Sequence, residues 1–116
     1  MSGDRLEAII QELREFASDR DWEQFHDPKN LAMAVVSEAG ELAAEYRWVA
    51  NNEADEWSRD SDNLARVSAE AADVAIMLVS FCDRVGIDLL DAMAKKIEVN
   101  RANYPADASR GRFERP

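Results

Sequence analysis

Residues 69–82 read A-E-A-A-D-V-A-I-M-L-V-S-F-C, with apolar side chains on nearly every side of a helix. Within residues 71–82 a single charge, Asp73, interrupts the pattern. A helix that is apolar nearly all round has no side to give to water and must be surrounded by other elements. The run is too short to span a bilayer. A chain of 116 residues holds one hydrophobic core, not two. Short helices from one small chain would barely cover such a segment, so the pattern predicts a homo-oligomer, a dimer or tetramer in which helices from several copies share a core.

The rest of the chain supplies helices. It has 4 Gly and 3 Pro, and few β-branched residues beside Ala, Glu, Leu and Arg. A first helix spans about residues 4–19, with Leu6, Ile9, Ile10, Leu13 and Phe16 on one face. Asp27 before Pro28 is a helix start, a capping side chain followed by proline at the first helical position. That second helix is expected to run to about residue 50, followed by a polar loop over residues 51–60. The third starts near Ser61 or Asp62 and runs to Val85, where Gly86 offers a C-cap. Asp88 caps a fourth from Leu89 to about Asn103, stopped by Pro105. The fold class is therefore all-α and four-helix-bundle-like, with the domain over residues 1–105 and a mobile tail over residues 106–116.

Net charge narrows the partners. At −10 the chain lacks the basic stripe that gripping nucleic acid through its phosphates requires. The same excess of Asp and Glu also serves solubility. Cys82 is the lone cysteine, so no intramolecular disulfide forms. Residues 1–12 are charged and amphipathic, without the apolar core of a signal peptide. The expectation is a soluble, cytoplasmic protein with no membrane partner.

Against this background four carboxylates are misplaced. Leu31, Val35, Glu38, Leu42 and Glu45 fall at alternating steps of four and three, which puts Glu38 on or beside the buried stripe of the second helix. Glu41 is three residues on and projects from the same side. Glu70 and Asp73 repeat the spacing in the third helix. Carboxylates crowded near a core repel one another and stay ionised only if a cation joins them. A hard divalent ion with oxygen ligands, Mg²⁺ or Mn²⁺, suits them. One His and one Cys make a zinc site improbable. An E-x-x-E pair on a helix also commonly marks no more than a solvated face.

Glu38-x-x-Glu41, 28 residues, then Glu70-x-x-Asp73 resembles the E-x-x-E…E-x-x-D signature of the MazG-like all-α nucleoside triphosphate pyrophosphatases. The segment from Arg20 through Trp22, Phe25 and His26 to Pro28 and Leu31 is similar to the dCTP pyrophosphatase branch. So are Ser37-Glu38-Ala39-Gly40-Glu41-Leu42, Tyr46-Arg47-Trp48, and Lys96-Ile97-Glu98-Val99-Asn100-Arg101 with Tyr104-Pro105. The likeness extends over about residues 6–105.

That resemblance implies a Mg²⁺-dependent pyrophosphohydrolase. It would cleave the α–β bond of a nucleoside triphosphate, with dCTP or a modified pyrimidine deoxynucleotide as substrate, to monophosphate and pyrophosphate. By the same resemblance Glu38, Glu41, Glu70 and Asp73 hold the metal, and Glu38 or Glu41 is the base that activates water. Lys96, Asn100, Arg101 and Tyr104 would contact phosphate or sugar, although Lys96 and Arg101 also suit the C-terminal end of a helix dipole. Trp22 and Trp48 correspond to aromatics around the base, with core or interface packing as the competing reading. Gly40 costs helix stability and is a place where a neighbouring helix or ligand could approach.

The chain departs from that branch at two positions. Met77 stands one turn past Asp73 where those relatives carry tyrosine, and Leu13 stands where they carry histidine. Both changes remove hydrogen-bonding partners from the base pocket and put a cytosine preference in doubt. The alternative function is a non-catalytic acidic helical module that regulates or binds a partner. A di-iron bundle would need Glu-x-x-His pairs, and His26 is the only histidine.

Overall fold

The structure is a computed structural model and describes residues 2–114. The described residues form six α-helices and no strand. They are α1 (Ser2–Asp19), α2 (Pro28–Tyr46), α3 (Ala54–Arg59), α4 (Ser61–Val85), α5 (Leu89–Asn103) and α6 (Ala106–Ser109). The chain divides into two compact units, Met1–Gly86 and Ile87–Pro116.

Local chemistry sets most of the boundaries. The Asp27 carboxylate accepts from the Asn30 N–H at 2.9 Å, and Pro28 opens α2. Asp60 accepts from the N–H groups of Asp62 and Asn63 at 3.0 and 3.2 Å and opens α4. Asp88 does the same for Asp91 at 3.0 Å in the second unit. Gly86 closes α4 with φ 82°, a left-handed conformation open to glycine at little cost.

Two segments differ from the sequence reading. α2 ends at Tyr46 instead of near residue 50, and the expected polar loop contains a 3₁₀ turn (Asn51–Glu53) and the short α3. The reason is tertiary. The Tyr46 hydroxyl meets Ser58 Oγ at 2.7 Å, and its ring lies 5.0 Å from that of Trp57. The chain must therefore fold back after Tyr46, and a six-residue helix is too short to show a period. α6 likewise places one turn of helix in a segment where the sequence shows no pattern.

In the first unit α2 and α4 form the principal packed pair, with α1 and α3 also against α4. The pair is antiparallel. Glu45, late in α2, bonds Arg66, early in α4, whereas Glu38 lies by Glu70 and Asp73 further along. Leu31 (2% exposed), Ala17 and Cys82 are the buried hydrophobic residues among those described. That is a small core. Ile9, Phe16, Val36, Leu64 and Leu78 keep a large part of their surface exposed, Val36 as much as 67%. No helix among the described residues is long and apolar enough to cross a membrane.

With so little fully buried, Leu31 carries a disproportionate share of the packing. Leu31→Ala is expected to lower unfolding stability by about 2–5 kcal/mol. Urea denaturation would read this as a lower midpoint at unchanged slope.

Candidate metal centre and adjoining pocket

α2 and α4 bring three carboxylates together. Glu38, Glu70 and Asp73 each offer a ligand oxygen, and these oxygens all lie within 4.8 Å of one another. Glu38 and Glu70 are half-buried and Asp73 is exposed. Glu41, one turn past Glu38, is exposed and lies outside this trio. A Cβ at Gly40 would meet nothing within 4 Å, so no neighbour within the chain takes up the space that this glycine leaves.

The electrostatics are lopsided. Glu70 is held above the usual carboxylate range, first by loss of hydration and then by the charges of Asp73, Glu41, Glu45 and Glu38. Glu45 is bonded to Arg66 at 3.0 Å, and among the described residues that is the ion pair reaching this group. Glu45 lies on the Glu38 stripe that the sequence shows, yet spacing alone did not mark it as part of the field around Glu70.

The donor set fits a hard divalent cation. Glu38, Glu70 and Asp73 are the residues that would hold it, each offering one carboxylate oxygen. All the donors are carboxylates, which suits Mg²⁺ or Mn²⁺ and not zinc.

One turn past Asp73 a pocket of about 590 Å³ begins, walled by α1, the turn after it, the start of α2 and the second half of α4. Met77 and Trp22 line it, as does Leu13. Asp21 (φ 53°) turns the chain so that Trp22 faces back on α1, its ring 5.7 Å from Phe16 and edge-on. His26 follows at 6.5 Å from Trp22. Trp48 is elsewhere. It lies just past α2, is 88% exposed, is not among the lining residues, and carries the Arg47 guanidinium 5.7 Å over its ring.

The pocket also contains an ion pair absent from the sequence reading. Arg14 on α1 donates through Nε and Nη2 to the Asp83 carboxylate on α4, at 2.9 and 2.5 Å. These hydrogen bonds hold Asp83 below the usual carboxylate range against the opposing effect of burial. The sequence signal was weak: Asp83 lies about 80° round α4 from Asp73, and Arg14 simply follows Leu13 on α1.

In the second unit Lys96, Asn100 and Arg101 are exposed along α5, and Tyr104 caps its end. Arg101 pairs with Glu98 and Lys95 with Asp91.

The crowding at Glu70 predicts opposite responses with and without cation. Glu70→Gln should raise the melting temperature of the metal-free protein at neutral pH, because a repelled charge is gone. A raised carboxylate pKa means that this penalty grows as pH rises through the ordinary glutamate range, so the difference should vanish in acid, where Glu70 is protonated. The same substitution should shrink the melting-temperature gain on adding Mg²⁺. Thermal melts at several pH values, with and without the ion, check both.

No family model matches the chain. It is 42% identical over 106 residues to dCTP pyrophosphatase 1 of Mus musculus, across 91% of this chain and 62% of that protein. The Homo sapiens protein of the same name is 41% identical over 105 residues, across 90% of this chain and 62% of its own length. The chain thus spans less than two thirds of these relatives. Among solved structures, a pyrophosphatase from Archaeoglobus fulgidus superposes with a TM-score of 0.81 at 34% identity, covering 87% of this chain and 93% of that one.

Proposed function

Because this chain belongs to the MazG-like all-α pyrophosphatase family, we propose that it is a nucleotide pyrophosphohydrolase that cleaves a deoxynucleoside triphosphate between the α- and β-phosphates. The observation that carries the reading is the convergence of Glu38, Glu70 and Asp73 from two helices, with Glu70 held above the usual carboxylate range by loss of hydration and then by its neighbours' charges. A chain with no use for a cation gains nothing from holding these charges together. The dCTP named for the mammalian relatives makes it the first substrate to test.

Glu38, Glu70 and Asp73 hold the cation in this reading. Mg²⁺ bound there would offset the charge of the triphosphate and stabilise negative charge building at the α-phosphate. Glu41 lies on the same side of α2 but outside the trio, which leaves its lone pairs for the attacking water. We assign it the water's proton and the orientation of the attack. Trp22 and Met77 contribute the apolar walls for the base. Trp48 is a stacking face that becomes buried when nucleotide or a second copy covers it. Lys96, Asn100, Arg101 and Tyr104 are assigned to phosphate and sugar.

A homo-oligomer is part of the proposal. Phe16, Val36, Leu64 and Leu78 are each between 38% and 67% exposed, and a second copy of the same chain would bury that apolar surface. Sedimentation should find a dimer or tetramer at micromolar concentration; a lone monomer would overturn this part.

The chemistry is tested by separating the products of Mg²⁺-dependent turnover. Monophosphate and pyrophosphate are expected, whereas orthophosphate with a diphosphate would refute α–β cleavage. Glu38→Gln should lose both the Mg²⁺-induced gain in melting temperature and, on the order of 100-fold or more, turnover. Glu41→Gln should keep much of the thermal response while losing turnover. Full activity in both would leave the acidic regulatory module as the better reading.

A further inference from the structure

We infer that Asp83, held in place by Arg14, selects the base by accepting a hydrogen bond from an exocyclic ring amine, so that the pocket takes cytosine in preference to uracil. This rests on the nucleotide pyrophosphohydrolase reading above and goes beyond it by naming the residue that reads the base.

The layout of α4 sets the argument. Met77, Ser80 and Arg84 follow Asp73 at steps of four, three and four, and Asp83, three residues past Ser80, lies at the flank of that stripe. All four line the pocket. At 1.5 Å per residue Asp83 lies about 15 Å along the axis from Asp73. A nucleotide whose phosphates are held at the carboxylate trio therefore has its base along this side, with the far edge of the ring toward Asp83.

Trp22 and His26 add ring nitrogens to the lining, and of its two carboxylates Asp83 is the one held in place. Leu13, Phe16 and Met77 supply packing and no strong hydrogen bond. The Ser80 hydroxyl donates or accepts as it rotates, so it suits either base. Arg84 spends Nη1 on the Glu23 carbonyl at 3.4 Å. Glu23, the other carboxylate of the lining, is exposed, while the Asp83 side chain is 27% exposed. Arg14 turns Nε and Nη2 to Asp83 and Nη1 to Gln11 at 3.4 Å. Each Asp83 oxygen then accepts one bond and keeps acceptor capacity to spare.

An ionised carboxylate accepts and cannot donate. Cytosine meets it with the N4 amine, the pairing by which Asp and Glu read cytosine elsewhere. Uracil presents a carbonyl at that position, lone pairs against lone pairs. Its N3–H lies between two carbonyls, so turning the ring to reach it brings one of them against the same carboxylate. The hydrogen-bonding capacity missing at Leu13 and Met77 is thus supplied from a different pair of positions.

The test compares kcat/KM for dCTP and dUTP, which differ at the edge in question. The full-length protein should favour dCTP by about tenfold or more, the scale of one buried hydrogen bond made against one left unmade. Asp83→Asn should bring the ratio toward one, because the amide offers a donor as readily as an acceptor. Arg14→Gln should lower it too, by freeing the carboxylate to turn away. A purely structural role would slow both substrates alike and leave the ratio standing. A ratio of one or less in the unaltered protein, which depends on no variant folding, overturns the inference, as does an unchanged ratio in Asp83→Asn. Absence of pyrophosphate from every triphosphate tried would instead sink the pyrophosphohydrolase reading and this inference with it.

Discussion

Glu38 on α2 and Glu70 and Asp73 on α4 place carboxylate oxygens within 4.8 Å of one another along the principal helix contact of the first unit. Repulsion within that group works against the very pairing that creates it. The helices must therefore be held by packing on either side of the charges. Leu31 and Cys82 are buried toward one end, and the Arg66–Glu45 pair and the Tyr46–Trp57–Ser58 cluster lie toward the other. The acidic group sits between two anchored ends, so its geometry is imposed by its surroundings.

The pocket depends on the same arrangement. α4 passes from the carboxylates to the pocket wall without a break, and α1 closes the other side through apolar contacts and the Arg14–Asp83 bonds. The turn at Asp21 brings Trp22 back across Phe16, which converts the exit from α1 into an aromatic wall. Few residues are fully buried in this arrangement, and the apolar surface left over suits association of copies.

Much of this was legible in the sequence, for identifiable reasons. The Asp27–Pro28, Asp60–Ser61 and Asp88–Leu89 starts and the Gly86 stop are local devices, decided by atoms a few residues apart. The pairs Glu38/Glu41 and Glu70/Asp73 stand out because charge on an apolar stripe conflicts with burial. What the sequence did not reveal depends on contacts far apart in the chain. α3 exists where Tyr46 reaches Ser58 and Trp57, and the approach of Glu38 to Glu70 and Asp73 exists only where α2 packs on α4. Arg14 and Asp83, 69 residues apart, are ordinary surface charges until α1 lies on α4. Trp22 and Trp48 looked alike as aromatic candidates; the fold puts one in a pocket and leaves the other uncovered.

The length of α4 has a consequence for how such a chain can diverge over generations. Asp73 and the residues from Met77 to Asp83 occupy successive turns of one continuous helix, at different heights along its axis. Substitutions at the upper turns can therefore reshape the pocket lining while the lower turns, with their carboxylates, stay as they are.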